Sequence, residues 1–154
     1  IDDQYGDPRT SLSPLYSGSG DTDWVQGANC SDCEMAFNGF VAQQAFNQTW
    51  HWSEFLVGDV KRTVKFNFTG TSLNVYCILP NPDASIISNY NLTFTLDGTP
   101  VNHGFNHTSD GSGQFQYNVN VLSLGNLSQA PHTFVMAALT QINSTVLFDY
   151  ATCE

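Results

Sequence analysis

The chain has 154 residues, with fourteen acidic and four basic side chains and a formal charge of −10. That length fits one domain able to bury roughly 70% of its unfolded surface, and the charge excludes phosphate-binding surfaces, because nucleic acid and anionic membranes attract basic patches. Eleven Phe and six Tyr stand among Gly, Asn, Ser and Thr, with 12% charged residues; this mixture suits strands joined by polar turns and leaves cations or neutral polymers as partners.

Residues 1–29 carry Pro8, Pro14, Gly18, Gly20 and Gly27 among Ser and Asp. They read as an irregular arm with short edge strands, anchored by Tyr16 and Trp24. From Cys33 to Trp52 the pattern is least regular, and Met35 to Ala45 predicts one or two helical turns within a loop. Val64, Phe66 and Phe68 alternate with Lys65 and Asn67, the signature of a half-buried strand. Thr69-Gly70-Thr71 predicts a hairpin turn, and the return from Leu73 to Leu79 blurs into the continuous apolar run of a strand covered on both faces, with Val75 and Cys77 facing one core.

Pro80-Asn81-Pro82-Asp83 ends that strand. Leu92, Phe94 and Leu96 then alternate inward, Asp97-Gly98 signals a hairpin, and Val101 to Phe105 is the return strand. Beyond an exposed loop at Thr108 to Gly113, the cleanest alternation places Phe115, Tyr117, Val119 and Val121 against Gln116, Asn118 and Asn120. Thr133 to Leu139 and Val146 to Ala151 predict a final hairpin. Eight to ten short strands punctuated in this way predict an antiparallel β-sandwich over residues 1–154, all-β and one domain.

No apolar run reaches the roughly 20 residues of a membrane span, and Ile1-Asp2-Asp3 lacks the basic and apolar regions of a signal peptide, so the chain reads as already processed. Seven Asn-x-Ser/Thr triplets begin at Asn29, Asn47, Asn67, Asn91, Asn106, Asn126 and Asn143. Each is an acceptor for N-linked glycan, and together with four cysteines they predict a secreted, extracellular protein. Four cysteines allow three pairings. The expected pairs are Cys30 with Cys33 and Cys77 with Cys153, the second closing a loop worth roughly 4 kcal/mol.

Hydrolytic catalysis needs a nucleophile and an acid or base held in reach. His51, His103, His107 and His132 have no characteristic spacing to Ser or Asp, and neither G-x-S-x-G nor H-E-x-x-H occurs. No enzyme, metal or cofactor is expected. Acidic Asp21, Asp23, Asp32 and Asp110 read as solvated loop residues. Sugar binding uses aromatic faces with amides and carboxylates around them, which makes Trp24, His51, Trp52 and Tyr90 the candidate ligand-binding residues and glycans or cell-wall polysaccharide the expected partners. A structural, self-associating cell-wall, coat or fibre subunit is the alternative.

Several stretches share one pattern: Ile1-Asp2-Asp3, Tyr16-Ser17, Trp24, Cys30 with Cys33, Gln44-Ala45-Phe46, Thr49-Trp50-His51, Phe68-Thr69-Gly70-Thr71, Val75 to Leu79, Leu92 to Gly98, Phe115 to Val119, His132-Thr133 and Leu147 to Ala151. In these the chain resembles the galactose-binding-domain-like jelly-roll ectodomains of secreted and single-span proteins of mushroom-forming (basidiomycete) fungi. The resemblance implies a sandwich similar to carbohydrate-binding modules, in an extracellular setting and without established chemistry. Where that family reads Ala-Phe-Asp-Gly-Thr-Trp-His, this chain has Asn47-Gln48 in place of Asp-Gly, removing a carboxylate that in related folds lies beside a structural calcium.

Overall fold

The computed structural model describes residues 1–18, 20, 23–29, 39–81, 89–138 and 141–154. Ten strands follow one another: β1 (Leu15–Ser17), β2 (Val25–Gln26), β3 (His51–Phe55), β4 (Thr63–Gly70), β5 (Leu73–Asn81), β6 (Tyr90–Leu96), β7 (Thr99–His107), β8 (Gln114–Leu124), β9 (Ala130–Ala138) and β10 (Ser144–Cys153). They form two antiparallel five-stranded sheets, ordered β1-β4-β9-β6-β7 and β2-β3-β10-β5-β8. Without the short edge strands β1 and β2, the remaining eight interleave as a jelly roll. Of the one or two helical turns expected over Met35 to Ala45, the described part of that segment holds a 3-10 turn at Ala42–Gln44; residues 35–38 lie outside the described residues.

Alternation predicts the strands well and their partners badly. Between β3 and β10 every connection crosses from one sheet to the other except β6 to β7, which is the hairpin that Asp97-Gly98 signals. The expected hairpin of β4 with β5 is therefore an arch between layers, and so is the expected final hairpin of β9 with β10. Gly70 explains the first error. Its φ is not positive, as a primed hairpin turn would require; instead Glu154 passes so close that a Cβ on Gly70 would overlap its backbone.

The two sheets bury one core. Val64, Phe66 and Phe68 face inward from β4 and Leu73, Val75 and Cys77 from β5, while burial becomes continuous from Cys77 to Asn81 as the apolar run implies. Phe134 packs on Phe66 at 5.1 Å and on Phe94 at 6.1 Å, so one ring joins three strands of a sheet. Phe66 also meets Phe148 of the opposite sheet at 6.1 Å. Truncating any of these rings to Ala costs about 3–5 kcal/mol. Trp50, 2% exposed, is also core; its indole lies against Phe40 and against Gly27, where a side chain would overlap it.

Cys77 and Cys153 are free thiols, which overturns their expected pairing. The register gives the reason. Cys77 stands opposite Phe148 and Cys153 opposite Leu73, so the two lie four residues apart along the sheet, roughly 13 Å at the rise of a strand. A disulfide spans at most about 7 Å between Cα atoms. Cys30 and Cys33 lie outside the described residues.

Candidate functional site

Three buried carboxylates organise one side of the sandwich. Asp2, Asp3 and Asp149 are 4%, 1% and 0% exposed. Asp2 accepts the backbone N–H groups of Gln4 and Tyr5 at 2.9 and 2.7 Å and the Nδ2 of Asn47 at 2.8 Å. Asp3 accepts the Thr49 hydroxyl at 2.6 Å and bonds His51 Nδ1 at 2.7 Å. Asp149 accepts the Phe46 N–H at 2.9 Å. The turn Phe46–Gln48 is thus bonded to both the N-terminal arm and β10.

Burial pushes the Asp149 carboxyl up to about 7 and raises that of Asp3 as well. One oxygen of Asp149 is buried with no hydrogen-bond partner. An ionised carboxylate in that position costs more than the protonated acid.

This anchoring fixes the Phe46 ring, 42% exposed, on Tyr150. Their centroids are 4.4 Å apart at 27°, and Tyr150 in turn stacks on Tyr76 at 4.5 Å and 11°. Phe46 and Tyr150 wall a cleft of about 510 Å³ between the N-terminal arm and the ends of β4 and β10. Leu12 adds apolar surface, while Arg9, Asn67 and Gln129 add donors and acceptors. A concave site of that size with a rigid aromatic wall and a few polar groups suits the apolar face and hydroxyls of a sugar ring.

None of the four candidate ligand-binding residues lines this cleft. Trp24 packs on Tyr16 at 5.1 Å and donates its indole N–H to the Ser17 carbonyl at 3.2 Å. His51 is held by Asp3 and stacked on Tyr16. Trp52 borders a separate 180 Å³ groove with Asp23 and Arg62. Tyr90 requires correction: it is 1% exposed, donates its hydroxyl to the Ile78 carbonyl and accepts the Leu147 N–H at 2.7 Å. Its place at the head of the inward series Tyr90, Leu92, Phe94 makes it core. Phe46 and Tyr150 are missed by sequence reasoning because their pairing joins residues a hundred positions apart.

Among the described residues no group of three or more His, Cys, Asp or Glu side chains is arranged to hold a metal. At the turn where related folds place calcium, Asn47 presents an N–H donor to Asp2, whereas a cation requires oxygen there. The residues do not fit that ion. Asp23 pairs with Arg62 at 2.9 Å, and Asp110 accepts the Ser112 N–H at 2.9 Å; Asp21 and Asp32 lie outside the described residues.

One trio has the outline of a hydrolase triad. His132 Nδ1 lies 2.7 Å from Asp97 Oδ2, and its Nε2 lies 3.5 Å from Ser128 Oγ. But Nε2 is closer, at 2.9 Å, to the Ser128 carbonyl. Acceptors at both nitrogens favour the imidazolium form, which has no lone pair to accept a serine proton. The bond to Asp97 raises the His132 pKa, and the same bond lowers that of Asp97. The trio fastens the β6–β7 turn to β9.

Of the sequon asparagines, Asn47, Asn67, Asn106, Asn126 and Asn143 are exposed, Asn91 is half-buried, and the side chain of Asn29 lies outside the described residues. Asn91 and Asn106 stand directly opposite each other on β6 and β7.

No protein-family model and no curated protein sequence matches the chain. Solved structures do. The Agl-KA catalytic domain aligns over 92% of this chain at 10% identity and a TM-score of 0.50, with 27% of that chain covered. That likeness shows the fold, an all-β jelly-roll domain. An exo-β-1,3-galactanase from Phanerochaete chrysosporium aligns at 14% identity and a TM-score of 0.49, over 90% of this chain and 26% of its own. A family 35 carbohydrate-binding module from Clostridium thermocellum aligns at 12% identity and 0.48, covering 93% of this chain and 100% of the module. The chain thus spans about a quarter of the length of the galactanase and Agl-KA chains.

Proposed function

We propose that this chain is a non-catalytic, extracellular, N-glycosylated domain that recognises glycans, with cell-wall polysaccharide as ligand and the Phe46–Tyr150 cleft as its binding surface. The observation that carries the reading is the exposed Phe46 ring, backed by Tyr150 and Tyr76 and flanked by Arg9, Asn67 and Gln129. A large aromatic surface left open at a rigid cleft is the arrangement sugars stack against. The charge of −10 favours a neutral polymer over a phosphorylated one. The seven sequons and the resemblance to fungal ectodomains support the extracellular setting.

Calorimetric titration with a panel of soluble cell-wall oligosaccharides tests this. Binding weakened about tenfold by Phe46→Ala, a loss of about 1.4 kcal/mol, and unchanged by Trp52→Ala supports the cleft. No binding by any oligosaccharide at millimolar concentration overturns it.

Structural self-assembly is the second reading, favoured by β8. This eleven-residue edge strand contains no charged residue and no proline, two of the devices that keep sheet edges apart. A bulge at Asn118, φ 55°, interrupts it, so the reading ranks second. Light scattering at high concentration decides it, with a strict monomer removing it.

A further inference from the structure

Among the described residues, one group of exposed apolar side chains lies away from the cleft. Leu56, Val57 and Val60 are 47%, 60% and 55% exposed on the turn after β3, and Ile142, 38% exposed, stands on the loop before β10. One hydrogen bond joins the two loops: the Val57 N–H donates to Asn143 Oδ1 at 2.9 Å. Asn143 is exposed and opens the sequon Asn143-Ser144-Thr145. Its carbonyl is engaged, and among the described residues its Nδ2 donates to nothing.

We propose that Asn143 carries an N-linked glycan whose first sugar lies over Leu56, Val57, Val60 and Ile142 and shields them from water and from other chains. The inference rests on the extracellular part of the functional reading and is separate from the cleft. In the modification Nδ2 loses one proton and bonds to the anomeric carbon of an oligosaccharide. The bond between that carbon and a lipid-linked pyrophosphate breaks, and the lipid pyrophosphate leaves. The product amide keeps its Oδ1, so the bond from Val57 survives and fixes where the sugar starts.

Geometry distinguishes Asn143 from three other acceptor sites, Asn47, Asn91 and Asn106. Asn47 spends Nδ2 on the buried Asp2 carboxylate. Asn91 and Asn106 face each other across a strand pair, where side chains are only about 5 Å apart. A second copy of the chain is a poorer cover, because a net charge of −10 on each copy opposes their approach.

The test is glycopeptide mass spectrometry on protein secreted from a eukaryotic host, followed by binding of a hydrophobic dye. Asn143 is expected to be occupied, and Asn143→Gln is expected to raise dye fluorescence at least twofold, with Asn126→Gln leaving it unchanged. Trimming the wild type to one N-acetylglucosamine per site leaves the signal low, and complete enzymatic deglycosylation raises it; this comparison holds even if the variant folds poorly. A bare Asn143 among occupied sequons overturns this inference alone. Bare asparagines throughout overturn it together with the extracellular reading. Occupancy without any change in dye binding on deglycosylation overturns the shielding, as does a glycosylated protein that dimerises through these four side chains.

Discussion

Tyr16 lies flat on His51, with ring centroids 4.0 Å apart and planes 12° from parallel. The rings come from β1 and β3, in opposite sheets, and Asp3 ties them together: the Tyr16 hydroxyl donates to the Asp3 carbonyl at 2.7 Å, and His51 Nδ1 meets its carboxylate. This closes the edge of the sandwich and makes His51 structural. Tyr16→Phe is expected to cost about 1 kcal/mol, the worth of one hydrogen bond, and His51→Ala about 2–3 kcal/mol, because it leaves a buried carboxylate oxygen unpaired. Urea denaturation of both variants and their double mutant measures this; equal stability of H51A and wild type contradicts it.

Asp149 gives stability a pH dependence with a defined sign. Its carboxyl sits near 7 in the folded chain, raised by burial from an ordinary value of 3.8. The unfolded chain therefore releases this proton first, and the stability contributed by the neutral acid is lost as pH rises from about 4 through about 7. Asp149→Asn removes the titration. Relative to wild type, the variant should gain about 2 kcal/mol between about pH 5 and pH 7.5, read as a growing difference in unfolding free energy. A constant difference across that range contradicts the assignment.

The turn that supports Phe46 is strained. Asn47 and Gln48 both have left-handed backbone, with φ of 52° and 63°. Left-handed geometry costs a non-glycine residue roughly 1–2 kcal/mol, and glycine returns roughly 0.5–1 kcal/mol of that as lost chain entropy. Gln48→Gly is expected to stabilise by about 0.5–1 kcal/mol, a rise of about 2 °C in Tm, whereas Gln48→Ala should not stabilise. A drop in Tm for the glycine variant counts against the turn.

The register of β10 on β5 leaves Cys153 half-buried and Cys77 fully buried, where burial pushes its thiol up. In native protein, iodoacetamide should label Cys153 and spare Cys77, since the reactive species is the thiolate. Cys153→Ser should cost under about 1 kcal/mol, against the roughly 4 kcal/mol that a bridge closing so long a loop would contribute. Peptide mapping that finds Cys77 joined to Cys153 contradicts the register.

Period-two alternation locates strands such as β4, with Val64, Phe66 and Phe68 inward, because side-chain parity depends only on which face is buried. The same parity is silent on which sheet a strand joins. Thr69-Gly70-Thr71 therefore reads as a hairpin although it arches between layers. Cys77 and Cys153 look pairable for the same reason, since register is a long-range property. At the cleft, Phe46 and Tyr150 meet only after β10 has crossed the sandwich and Asp149 has captured the Phe46 backbone. Tyr90 misleads in the other direction: beside the Pro80–Asp83 break it resembles a loop aromatic, but its hydroxyl has two buried backbone partners.

The proposed sugar site is the Phe46–Tyr150 wall. Amide chemical-shift mapping during titration with a cell-wall oligosaccharide tests it most directly. Saturable shifts concentrated at Arg9, Leu12, Phe46, Asn67 and Tyr150 are expected; shifts confined to the groove beside Trp52 and Arg62, or none at millimolar ligand, would rule the site out.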